Sequence, residues 1–174
     1  SGRILMDGKN LRERSVGWLH SHIGYVLQTP NLFSGTIRDN IRYGRRDASD
    51  EEVEQVARLI QAHDFISRME KGYDTEVGEG GDRLSTGQKQ LISFARAMLC
   101  DPAIVILDEA TSSIDTESEK AIQYAMDQLL HGRTSFVVAH RLSTIVSADI
   151  IVVLQHGVII EQGTHEELMA KQGY

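Results

Sequence analysis

Short apolar runs alternate with amphipathic stretches along the 174 residues. Residues 22–27 (HIGYVL) predict a strand. Residues 103–107 (AIVIL) and 135–139 (SFVVA) are continuous apolar runs of strand length, the kind that a parallel sheet buries on both faces. Residues 150–154 (IIVVL) and 158–161 (VIIE) flank a Gln-His-Gly link and predict a hairpin. Helix starts are marked by a Ser or Thr followed three residues later by Glu or Gln, the reciprocal capping pattern. It occurs at Ser49, with Val53, Val56, Ala57 and Ile60 following at helical spacing. It recurs at Thr116, ahead of Ile122, Ala125, Met126 and Leu129, and at Thr164. It occurs once more at Ser85 (STGQ), ahead of Leu91, Phe94, Ala95, Met98 and Leu99. Strands that alternate with helices predict an α/β layer architecture. The two prolines, Pro30 and Pro102, do not mark a linker, and no internal repeat is present.

Composition changes this picture little. A hydrophobic share of 41% and a charged share of 25% are those of a globular domain. The formal net charge of -7 argues against a nucleic-acid partner, whose binding surface would be basic. The single cysteine, Cys100, excludes an intrachain disulfide and a cysteine metal cluster, and fits a reducing compartment. The longest apolar runs are far below the roughly 20 residues of a membrane-spanning helix. The opening SGRILMDGKN lacks the apolar core of a signal peptide and reads like the interior of a domain.

The chemistry concentrates at strand ends. In AIVILDEATSSID a buried strand ends on Asp108 and Glu109. Ligands of parallel sheets gather at the carboxyl ends of strands. A carboxylate there suits Mg²⁺, which takes one or two protein carboxylates plus phosphate, and a second can orient or deprotonate water. A solvated strand end followed by a turn is the plainer alternative. His140 follows the strand at 135–139, where it would face the same crevice and donate to a phosphate oxygen or to an attacking water. Gln28 ends the first strand, before the break at Pro30. Its amide can reach a metal or a metal-bound water, or it is simply a turn residue. Ser85 can serve as a helix cap and nothing more.

Taken in order, YVLQ, LSTGQ, IVILDEA, SSID and AHR resemble the Q-loop, signature, Walker B, D-loop and switch-histidine motifs of ABC transporter nucleotide-binding domains. The resemblance runs the length of the chain. QTPNLFSGTIRDNIRYG, GYDTEVGEGGDRLSTGQ, VVAHRLSTIVSADIIVVL and GTHEELM are similar to the exporter type, and importer ATPases and non-transport members usually lack these phrases. Two departures stand out: Thr86 replaces the usual glycine of the signature, and Glu79-Gly80-Gly81 lacks the usual arginine between its glycines.

The resemblance implies a P-loop NTPase-like α/β core with a mostly parallel sheet and an inserted helical signature subdomain. The division it implies is catalytic core over 1–28, helical subdomain over 29–100 and catalytic core over 101–174. It implies ATP as substrate and Mg²⁺ as cofactor. Asp108 and Gln28 would serve the metal, Glu109 the hydrolytic water and His140 the γ-phosphate. Ser85, Thr86, Gly87, Gln88 and Asp115 would meet nucleotide across a head-to-tail pair of such domains, identical or not. A transmembrane domain fused upstream would place the module at the cytoplasmic face of a membrane, powering export.

No G-x-x-x-x-G-K-[ST] loop occurs: the only Gly-Lys dipeptide is Gly8-Lys9, followed by Asn10. The upstream adenine-stacking aromatic of the family is also absent. The chain is therefore expected to begin downstream of both and to be an inactive ATPase by itself, with part of its sheet exposed. A non-catalytic partner module and a non-transport ABC-family ATPase are the competing readings.

Overall fold

The computed structural model describes residues 2–108, 116–139 and 142–171. The chain divides into two compact units, Ser1–Val137 and Val138–Tyr174. The first unit opens with β1 (Leu5–Met6) and β2 (Lys9–Asn10), an antiparallel pair turned by Asp7 and Gly8. Both turn residues have positive φ (51° and 75°), which is the requirement of a tight hairpin and the reason for Asp-Gly there. Next come α1 (Val16–His22), capped by the Ser15 hydroxyl, and β3 (Ile23–Val26). The helices α2 (Ile37–Arg42), α3 (Asp50–Leu59), α4 (His63–Ser67) and α5 (Thr86–Leu99) follow. The unit closes with β4 (Ile104–Asp108), α6 (Thr116–Leu130) and β5 (Thr134–Val138), whose last residue falls in the second unit.

The sheet has the order β3-β4-β5. Strands β3 and β4 are parallel, in register from Ile23↔Ile104 to Val26↔Leu107. The Thr134 N–H donates to the Ala103 carbonyl (3.3 Å), so β5 starts beside the start of β4. The connections from β3 to β4 and from β4 to β5 run through helices, and the parallel pair β3–β4 requires such a crossover. The central helix is α5. Leu91, Phe94, Ala95, Met98 and Leu99, expected as its apolar stripe, are all buried, and Gly87, Gln90, Ile92 and Ala97 join them. Burial on so many sides follows from its contacts with α2, α3, α6 and β3. Burying Ile92 and Phe94 contributes about 2–3 kcal/mol each.

The expectation of strands buried on both faces needs correction. Along β4, Val105 and Leu107 are fully buried, whereas Ile104, Ile106 and Asp108 are half-buried. In β3, Gly24 and Val26 are buried while Tyr25 is exposed. On β5, Phe136 is 63% exposed. Among the described residues the helices of this unit cover one face of the sheet, so burial alternates instead of being continuous.

The second unit holds α7 (Leu142–Val146), β6 (Ile151–Gln155), β7 (Val158–Gly163) and α8 (His165–Lys171). Strands β6 and β7 form the expected antiparallel hairpin, turned by His156 and Gly157 at positive φ. Thr164 caps α8 reciprocally with Glu167, as expected. Val152, Leu154, Val158 and Ile159 stand exposed on the hairpin. Among the described residues no helix is long and apolar enough to cross a membrane.

Candidate nucleotide site

Two edges carry the residues singled out by sequence. The first is the carboxyl end of the parallel pair. Asp108 lies one residue beyond the last paired position of β4, and Gln28 lies two beyond the last of β3. Neighbouring strands are about 4.8 Å apart, so Asp108 and Gln28 both lie at the carboxyl edge of this pair. Asp108 is half-buried and Gln28 is exposed. Both offer hard oxygen donors, and a carboxylate with an amide fits a Mg²⁺ ion whose other ligands are phosphate and water. Among the described residues no group of three or more His, Cys, Asp or Glu gathers as a metal cluster. Glu109, Asp115 and His140 lie outside the described residues.

The second edge is the start of α5. The Gln88 N–H donates to the Ser85 hydroxyl oxygen (3.2 Å), and the Ser85 N–H donates to the Gln88 amide oxygen (3.0 Å). This box occupies the Gln88 side-chain oxygen and the third N–H of the helix. It leaves the N–H groups of Thr86 and Gly87, the first two helical positions, without an intrahelical acceptor. Ser85 keeps its hydroxyl hydrogen for donation. Ser85 and Thr86 are exposed, whereas Gly87 is buried. Two backbone donors, two hydroxyls and the positive end of a 14-residue helix make a surface suited to a phosphate oxygen. No acidic side chain sits in the first turn to oppose it.

None of the described hydrogen bonds joins this helix start to Gln28 or Asp108. The body of α5 is fastened instead to the stretch 31–40, by residues that local sequence patterns do not reveal. Arg96 donates to the Asn31 carbonyl (3.1 Å), the Asn40 carbonyl (3.0 Å) and the Asn40 side-chain oxygen (2.9 Å). Asn40 in turn holds the backbone of Phe33 at both its N–H (2.9 Å) and its carbonyl (2.8 Å).

The architecture is a parallel α/β layer with candidate ligand groups at the carboxyl ends of its strands, the class in which ligands bind beyond those ends. The ABC transporter family model matches residues 1–112. The chain belongs to the ABC transporter family. It is 54% identical over 173 residues to the uncharacterized ABC transporter ATP-binding protein YfiC of Bacillus subtilis, covering 99% of this chain and 29% of that protein. It is 56% identical over 173 residues to a putative multidrug export ATP-binding/permease protein of Staphylococcus aureus, covering 99% of this chain and 30% of the relative. A solved structure of a bacterial Atm1-family ABC exporter with ATP bound superposes with a TM-score of 0.90 at 43% identity, over 99% of this chain and 30% of that one. The chain thus spans about 30% of the length of the relatives it matches. The P-loop NTPase-like fold class expected from the motifs agrees with this match.

Proposed function

We propose that this chain is part of the ATP-binding and ATP-hydrolysing module of an ABC exporter. The observation that carries the reading is the β3–β4 register, which sets Gln28 and Asp108 at one sheet edge. The names of the relatives, an export ATP-binding/permease protein and an ATP-bound exporter, support it. In this reading residues 1–28 and 101–174 serve the catalytic core, and 29–100 form the helical subdomain.

Asp108 and Gln28 would hold Mg²⁺, which would supply positive charge to offset that of the phosphates. Glu109 accepts a proton from the attacking water and orients it. His140 donates a hydrogen bond to the γ-phosphate. In a head-to-tail pair, Ser85 and the Thr86 and Gly87 N–H groups of one copy meet the nucleotide held by the other. The cap thereby serves two purposes: it ends its own helix and presents its spare donors outward. Thr86, with a hydroxyl where the family usually has glycine, adds a donor to that face. Asp115 lies at the seam between copies. The fused transmembrane domain of such a protein would place the module at the cytoplasmic face of its membrane.

The metal assignment has a direct test. In the full-length protein, Asp108→Asn is expected to raise the Mg²⁺ concentration for half-maximal ATPase activity at least about tenfold, since a neutral amide replaces the charged oxygen ligand. Metal-free ATP binding is expected to stay within about twofold. An unchanged Mg²⁺ dependence would remove Asp108 from the metal site.

A further inference from the structure

Gln90 is the fifth residue of α5 and is only 6% exposed. An amide that deep normally finds partners, as that of Asn40 does in Phe33 and Thr36. None of the described hydrogen bonds engages the Gln90 side chain. Packing alone is a poor reason for glutamine there, since methionine or leucine would fill the space without stripping an amide of water. Direction gives a better one. Side chains of an α-helix tilt toward its N-terminus, so Gln90 lies over the turn that begins at Thr86. The two share one face, four residues and about 6 Å apart along the axis. Thr86 is exposed at the helix start, and Gly87, three residues before Gln90, has no side chain to block the way. Lys89 adds charge nearby. Its Cε would lie 3.3 Å from a Cβ on Gly81, four residues before Ser85, and among the described residues no ion pair neutralises it.

We propose that Gln90 is a further residue of the phosphate site at the start of α5, its amide N–H groups donating to a phosphate oxygen of the nucleotide that the other copy holds. This rests on the nucleotide-site reading above, in which Ser85 and the N–H groups of Thr86 and Gly87 meet that nucleotide. Ser85 and Thr86 offer donors from the exposed rim, and Gln90 offers its own from the buried side of the same turn. An amide kept without a partner costs stability in the free protein, and the ligand restores it.

Methionine keeps the length of glutamine and removes the amide, so the test is Gln90→Met in the full-length protein, with Gln90→Leu as a second apolar replacement. The quantities measured are Tm without nucleotide, the rise in Tm with a non-hydrolysable ATP analogue, and kcat/KM for ATP. Without nucleotide, Tm is expected to stay the same or increase, because an unpaired amide has gone. kcat/KM is expected to fall at least about tenfold, as for a lost hydrogen bond to a charged group. With the analogue at about ten times its wild-type Kd, the same loss of affinity cuts its stabilising effect to about a third. A role in packing alone would lower the nucleotide-free Tm in both variants and leave the rise with analogue intact, which overturns the proposal. So does a kcat/KM within about twofold of wild type. Ser85→Arg, measured alongside, reports on the site itself. If it lowers kcat/KM and the Gln90 variants do not, only this proposal falls. If Ser85→Arg changes neither kcat/KM nor the rise with analogue, the nucleotide-site reading falls and this proposal with it.

Discussion

Glu109→Gln in the full-length protein is expected to slow ATP turnover about a hundredfold or more, with ATP binding unchanged within about twofold. Glu109 directly follows Asp108, the last residue of β4, in sequence, and the nucleotide-site reading gives it the water beside the metal ligand. A carboxylate beside the metal ligand can take a proton from water while the metal ligand stays ionised. The glutamine keeps size and hydrogen bonding but is not a base, so the loss falls on the chemical step. A hundredfold loss corresponds to about 2.7 kcal/mol of transition-state stabilisation. Single-turnover rates and equilibrium binding of labelled ATP, measured together, separate the two effects. Turnover near wild type would exclude Glu109 as the base, and weakened binding with unchanged turnover would make it a ground-state contact.

Residues 1–174 alone are expected to bind MgATP at least about a hundredfold more weakly than the full-length protein and to show no measurable hydrolysis. The phosphate loop of such proteins wraps the β- and γ-phosphates in backbone N–H groups and adds a lysine charge. This chain contains no such loop. Among the described residues, what remains is Asp108 and Gln28 at the β3–β4 edge, and a helix start that none of the described hydrogen bonds joins to them. A carboxylate edge does not attract a triphosphate without its metal. Titration calorimetry would show no saturable heat at micromolar ATP. Micromolar affinity or steady turnover by the purified chain would mean that another phosphate cradle exists within these residues.

The reciprocal caps at Ser49, Ser85 and Thr164 were legible because a capping box is local, needing only a hydroxyl and a carboxyl or amide three residues on. The box at Thr36 closes on Asp39 instead of Glu or Gln, so the same template passes over α2. Helix α1 is short and runs directly into β3, and His22, expected in the strand, ends the helix. At Thr116 the helix begins on the expected cap residue itself, one position early. Asp7-Gly8 is a local hairpin signal, and both residues adopt the positive φ that such a turn requires. Exposure of Phe136 and Leu154 could not be read from apolar runs, since coverage of a sheet face depends on tertiary neighbours. The same distinction governs the site. Gln28 and Asp108 are visible as strand ends. The link through Arg96 is not, because its partners are 56 and 65 residues away in sequence.

The central claim is that the Asp108–Glu109 edge of one copy and the Ser85 cap of another serve a single nucleotide. It is tested most directly by ATP turnover in covalently linked pairs of full-length copies carrying Glu109→Gln and Ser85→Arg. With the two substitutions on different copies, both fall in the same composite site, and the other site remains whole. With both on one copy, each site carries one defect. Measurable turnover is expected in the first arrangement, and loss to the level of the doubly inactive protein in the second. The reverse pattern, turnover only when both substitutions share a copy, would place Ser85 and Glu109 at the same nucleotide within one chain and contradict the account.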